Sequence, residues 1–274
     1  MKKEDRLMKG RCVLMLLFSL VGVTPILAEA GWKAGVAKVK ITPRESIWLA
    51  GYSSRTRPSQ GVLLDLYAKA LAIEDETGKI SVLLSVDLLG FTKKMSQAVL
   101  ERAWKSLGIR RAELAINTSH THSGPVTGSL LRLVYSLSSQ QEDVVSRYSA
   151  ELLEQCLDVI KSAVRNIAPA DLAFGHGLAG FAVNRRRVKL RYLPGPVDHD
   201  VPVLTVRQTD GKLLAIVFGY ACHATVLNEY QINGDWPGYA QKSLEELHPG
   251  AIAMFVAGCG ADLNPLPRRS VELA

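Results

Sequence analysis

Leu114-Ala115-Ile116-Asn117-Thr118-Ser119-His120-Thr121-His122-Ser123-Gly124-Pro125 is the stretch whose reading decides the fold. The apolar run Leu114–Asn117 is short and reads as a buried strand, and it runs straight into a loop carrying two imidazoles one residue apart. In an extended segment residues two apart point to the same face, so His120 and His122 are expected to address one cavity. Neutral imidazole is the commonest protein ligand for zinc, which makes the loop a candidate metal or acid/base site. The plainer alternative is a polar loop whose rings only satisfy backbone groups.

The pattern extends on both sides. Strands are expected at Ala34–Ile41, at Ala170–Phe174, and in two hairpins, Leu66–Ile73 with Ile80–Val86 and Val203–Val206 with Leu213–Phe218. Helices are expected at Thr92–Leu107, Gln141–Ile167 and Pro237–Leu247, and a last buried strand at Ile252–Ala257. In the longest helix Val145, Tyr148, Leu152, Cys156 and Ile160 recur at helical spacing and read as core. Alternating strands and helices give an α/β fold, and the hairpins make its core a mixed β-sheet with flanking helices. The Tyr220-Ala221-Cys222-His223 turn also follows a strand, so a third histidine is expected at the sheet's carboxyl ends, where open α/β sheets place ligands.

Residues 1–30 read as a signal peptide: a basic region, an apolar run from Cys12 to Leu20, and Ala28-Glu29-Ala30 as a small-x-small cleavage pattern. Export to the periplasm or outside is therefore expected. Its removal takes away five Lys/Arg and three Asp/Glu, so the formal charge falls from +7 to +5. The remaining basic residues are scattered apart from Arg185-Arg186-Arg187, which argues against a nucleic-acid partner. Cys156, Cys222 and Cys259 lack the CxxC spacing of a metal site and read as small buried hydrophobes, with a Cys222–Cys259 disulfide as the alternative. Residues 31–274 suit one domain, and Arg268–Ala274 reads like the first turn of a further helix, so the domain is expected to be incomplete at its C-terminus.

Several further residues carry two readings. Asp235, just before a helix with Pro237 early in it, is expected to cap that helix, the alternative being a carboxylate that orients a ligating histidine. The loop Gly258–Pro265 presents backbone N–H groups, Asp262 and Asn264 to a ligand, or is an ordinary tight connection. Arg185 is either part of a solvated basic loop or a group that steadies an oxyanion or head group. His176, His199 and His248 show no spacing argument and read as surface or structural.

Taken in order, the chain resembles the N-terminal domain of the neutral/alkaline (non-lysosomal) ceramidases. The resemblance rests on Ala34-Gly35-Val36-Ala37, Ile41-Thr42-Pro43, Gly51-Tyr52, Tyr67-Ala68-Lys69-Ala70, Ser85–Gly90, the SHTHSGP loop, Asn184-Arg185, Cys222-His223 and Gly238-Tyr239-Ala240. It implies a zinc-dependent amidase acting on the N-acyl bond of ceramide or a related N-acyl lipid, with peripheral membrane contact. It also implies that His120 and His223 ligate zinc, that His122 is a catalytic or carbonyl-orienting group, and that Arg185 is an active-site arginine. Where the family's loop reads Gly-Asp-Val-Ser-Pro-Asn with a catalytic serine, this chain has Ala261-Asp262-Leu263-Asn264-Pro265, which puts Asn264 in the serine's place. The family's other zinc ligands, a glutamate and a tyrosine, lie beyond Ala274. The alternatives are a hydrolase of a different amide or ester, and a catalytically silent exported lipid- or glycan-binding relative.

Overall fold

The computed structural model describes residues 31–131, 133–187 and 195–270. The signal-peptide expectation, residues 188–194 just after the Arg185-Arg186-Arg187 run, and the last four residues of the expected further helix turn lie outside them. In chain order the elements are β1 (Lys33–Lys40), β2 (Gly61–Val62), β3 (Tyr67–Glu74), β4 (Ile80–Val86), α1 (Lys93–Leu107), β5 (Leu114–Thr118), α2 (Ser139–Arg165) and β6 (Ala168–Leu178). They continue with β7 (Ala182–Asn184), β8 (Asp200–Gln208), β9 (Leu213–Tyr220), β10 (Gln231–Ile232), α3 (Asp235–Leu247), β11 (Ile252–Ala257) and β12 (Leu263–Pro265). Eight strands form one mixed sheet in the order β11-β9-β8-β6-β1-β3-β4-β5.

Both expected hairpins are present, β3–β4 and β8–β9, each antiparallel. Within this sheet the two parallel pairs, β4–β5 and β9–β11, are the ones joined through helices, α1 and α3. A parallel pair cannot be closed by a tight turn, so the helical crossovers follow from the topology. Helix α1 starts where Thr92 accepts from the Met95 N–H and ends at Gly108 with φ 70. Helix α2 starts two residues before its expected position, because Ser138 and Gln141 form a capping box. Strand β6 runs four residues past its expected end, its Gly175-His176-Gly177 stretch held as strand by full pairing with β8.

One core lies between α1, α2 and the β1–β3–β4 face, with Leu84, Val99, Leu152 and Ile160 fully buried. Burial of each such aliphatic side chain contributes roughly 1.5–3 kcal/mol. A second core lies inside the curl of the sheet, around Leu71, Val206, Ala215 and Met254. A third gathers Phe218, Trp236 and Phe255.

The sheet curls until its two end strands approach. Lys69, Ser85 and Asn117 are register partners across β3, β4 and β5. All three reach the unpaired edge of β11. Lys69 Nζ donates to Ala253 O at 2.7 Å, Ser85 Oγ to Phe255 O at 2.6 Å and Asn117 Nδ2 to Phe255 O at 2.8 Å. Asn117 Oδ1 in turn accepts from Ala257 N at 3.1 Å. A buried strand edge with unpaired backbone groups is costly, and this polar row satisfies it. The carboxyl ends of β5, β9 and β11 are thereby brought to one place.

Candidate metal centre

Three loops leave those ends, carrying His120 and His122 after β5, His223 after β9, and Gly258–Gly260 after β11. The imidazoles of His120, His122 and His223 lie with ring centroids 5.0, 5.2 and 5.6 Å apart. One ring nitrogen from each falls within 4.8 Å of the others, so the group could hold a metal ion.

Each Nδ1 is engaged by a backbone carbonyl: His120 with Leu89 O at 2.8 Å, His122 with Gly51 O at 3.0 Å, His223 with Gly260 O at 2.7 Å. A carbonyl only accepts, so each Nδ1 carries the hydrogen and each Nε2 keeps its lone pair. The Nε2 of His122 is buried with no partner. An orphaned buried acceptor facing two further imidazoles fits a cation, and Nδ1–H donation to a carbonyl is the usual way a ligating histidine is oriented.

Burial and the neighbouring His120 and His223 rings push the His122 imidazole down to about 3. Burial also lowers His223, with Gly260 opposing through its hydrogen bond. Depressed values keep the rings neutral and their lone pairs available.

Backbone conformation builds this arrangement. His120 sits in the left-handed region with φ 58, so the two histidines do not face the cavity by simple extended alternation. Such a conformation costs on the order of 1–3 kcal/mol and persists only where the surroundings impose it. Here Thr121, fully buried and lying between the two histidines in sequence, donates its hydroxyl to Asn233 O at 2.9 Å. Gly51, at φ 107, passes so close to the His122 ring that a Cβ would lie 2.6 Å from Cγ.

Asp235 corrects its expected role. It is the first residue of α3 at φ 53 and makes no cap bond to a later turn of the helix. Its carboxylate accepts from Val226 N and Leu227 N, both at 2.9 Å, and from the adjacent Trp236 N at 2.8 Å. Trp236 Nε1 then donates to His223 O at 2.9 Å. The pair fastens the turn after His223 through its backbone, while the histidine rings use carbonyls instead of carboxylates.

A cleft of about 420 Å³ opens beside the histidines, lined by Asn117, His120, Cys222, His223 and the Ala257–Ala261 loop. Cys222 and Cys259 are both free; Cys259 is exposed on this loop and Cys222 buried. Arg185 ends the β7 arm of the β7–β12 ribbon, its backbone N–H on Asp262 O and its Nη2 on Ala261 O, both at 2.8 Å. Asn264 lies half-buried in β12 opposite Val183. Among the described residues no hydrogen bond joins its side chain to the histidines. His176 is exposed and pairs with Asp200, away from the centre.

Residues 32–261 match the family described as "Neutral/alkaline non-lysosomal ceramidase, N-terminal". The chain belongs to this family. Among curated members, the neutral ceramidases of Drosophila pseudoobscura pseudoobscura and Drosophila melanogaster are each 28% identical, over 93% and 91% of this chain. The crystal structure of neutral ceramidase from Pseudomonas aeruginosa superposes with a TM-score of 0.74 at 22% identity, over 89% of this chain, and shares the fold. The chain spans 38% of the length of the Drosophila proteins and 40% of the Pseudomonas one. None of the described helices is long and apolar enough to cross a membrane.

Sequence reading anticipated the three histidines. It passed over the polar row Lys69–Ser85–Asn117 and over Arg55. In the row, only the spacing of single polar residues in otherwise apolar strands was available as a signal.

Proposed function

We propose that the chain is the metal-bearing part of an exported zinc-dependent amidohydrolase that cleaves the N-acyl amide of ceramide or a related N-acyl lipid. The observation that carries this reading is the convergence of three Nε2 lone pairs whose Nδ1 atoms are all fixed on backbone carbonyls. Family membership supports the substrate class, as does the solved relative titled "Ceramidase complexed with C2".

In this reading His120 and His223 hold the zinc ion through Nε2. Zinc bound there would supply Lewis-acid polarisation of a carbonyl and acidified water. His122, neutral and protonated at Nδ1, offers only an acceptor at Nε2. It therefore orients a water hydrogen and does not donate to the substrate carbonyl. Arg185 and Asn264, on the β7–β12 ribbon, are the donors available to a developing oxyanion or a polar head group.

The test is hydrolysis of a short-chain ceramide by the chain, with and without a zinc chelator, beside His122→Ala. Hydrolysis lost on chelation, restored by zinc and reduced at least 10²-fold in His122→Ala while zinc is retained is the expected result. Chelator-insensitive hydrolysis, or none in a zinc-loaded folded protein, would overturn the reading.

A further inference from the structure

Arg55 is an almost wholly buried cation, 5% exposed, in the loop between Trp48 and Pro58. It forms no ion pair with a carboxylate among the described residues. Its Nη1 donates to Ala50 O at 2.8 Å and to His122 O at 2.7 Å, and its Nη2 to Glu229 O at 3.0 Å. Its Nε–H is buried without a partner. The guanidinium carbon lies 4.8 Å from the Tyr52 ring centroid, and that ring lies 5.1 Å from the His122 imidazole.

Burying a charge without a counter-charge is expensive, so an arginine is an odd choice for filling space. Its fork of fixed donors, however, can grip several carbonyls at once, which lysine's point charge cannot reproduce. The carbonyls gripped come from the segment preceding Gly51, the His122 residue itself, and the chain beyond His223. His122 is thus held at two points: directly by its own carbonyl, and through the Ala50–Gly51 segment whose Gly51 carbonyl accepts from its Nδ1. Tyr52, in contact with Arg55 and tilted at 58° to the imidazole, is itself anchored by its hydroxyl on Leu227 O at 2.8 Å.

We propose that Arg55 is a positioning residue that sets the tautomer and ring orientation of His122, and with them the direction of the Nε2 lone pair that would orient a water beside the zinc site. This rests on the reading of His122 given above, and its test is chosen to stand apart from it. Long-range ¹H–¹⁵N spectra of the imidazole nitrogens would be recorded on the metal-free chain, as wild type, Arg55→Lys and Arg55→Met. His122→Gln assigns the His122 signals.

The expected result is a single Nδ1–H pattern for His122 in the wild type, shifted toward tautomer averaging in both variants, with His120 and His223 unchanged. In zinc-loaded protein kcat should fall about 10–100-fold with KM little changed, the size usual for residues that orient a site from behind. Unchanged His122 signals in a folded Arg55→Lys would overturn the proposal. So would equal shifts of all three histidines, or collapse of both variants, each marking a general structural role. A wild type that neither binds zinc nor hydrolyses amides would sink the metal reading and leave the His122 signals to decide this one.

Discussion

Asn117 joins β5 to Phe255 of β11, two strands that do not pair with each other: its Nδ2 lies 2.8 Å from Phe255 O. Its Oδ1 takes the Ala257 N–H of the same strand at 3.1 Å, so one amide stands in for a strand partner. Asn117→Val should leave the Ala257 N–H unsatisfied, while Phe255 O keeps the Ser85 hydroxyl as its one remaining donor. A loss of roughly 1–3 kcal/mol is expected, read from urea unfolding. Because this contact holds the β5 and β11 loops together, zinc affinity should fall in the same variant. Unchanged stability would show that the two edges are held by other contacts.

Gly51→Ala tests the close approach behind His122. A Cβ there would meet the ring at 2.6–2.7 Å, and φ 107 is strained for any side chain. The variant should fold with a lowered melting temperature and lose hydrolysis at least 10²-fold, out of proportion to the stability change. Zinc, held by His120 and His223, should be retained. Hydrolysis at the wild-type level would show that the His122 position is unimportant.

The metal-free chain should lose stability as the pH falls. His122 binds its proton only near pH 3 in the fold but near 6.5 when unfolded. The unfolded state therefore carries the extra proton between these values, and stability is full above about 6.5 and declines below it. The slope is up to about 1.4 kcal/mol per pH unit for each such imidazole. His223, also lowered by burial, adds in the same direction. Between pH 6.5 and 5, above the usual carboxylate range, His122→Gln should flatten the slope. An equally steep slope in that variant would contradict the assignment.

Asp235→Ala removes the acceptor for Val226, Leu227 and Trp236 N–H groups in a fully buried place. The cost is expected on the order of 3 kcal/mol, since bonds to a charged group are stronger than neutral ones. Hydrogen exchange at the Val226 and Leu227 amides should accelerate before global unfolding, which mass spectrometry of the peptide after His223 would detect. Exchange unchanged there would mean the turn is held without the carboxylate.

Much of this molecule is legible in its sequence. Apolar runs with turn residues between them place β4, β5, α1 and β11 within a residue or two, and strand-end histidines mark the site. What stays hidden is long-range. That Asn117 lies against Phe255, 138 positions away, depends on how far the sheet curls, which no local pattern encodes. Arg55 looks like any loop arginine until the burial of its side chain is seen. Asp235 has the local look of a cap, and only the fold shows its carboxylate turned onto the 226–227 turn. His120 reaches the cavity through a left-handed backbone that spacing alone would not reveal.

The most direct test is zinc stoichiometry on the folded chain after equilibration with zinc and dialysis, beside the double variant His120→Ala, His223→Ala. About one ion per chain, lost in the double variant with the fold intact, is the predicted result. A chain that retains no zinc, or a double variant that retains as much as the wild type, would contradict a metal centre at these histidines.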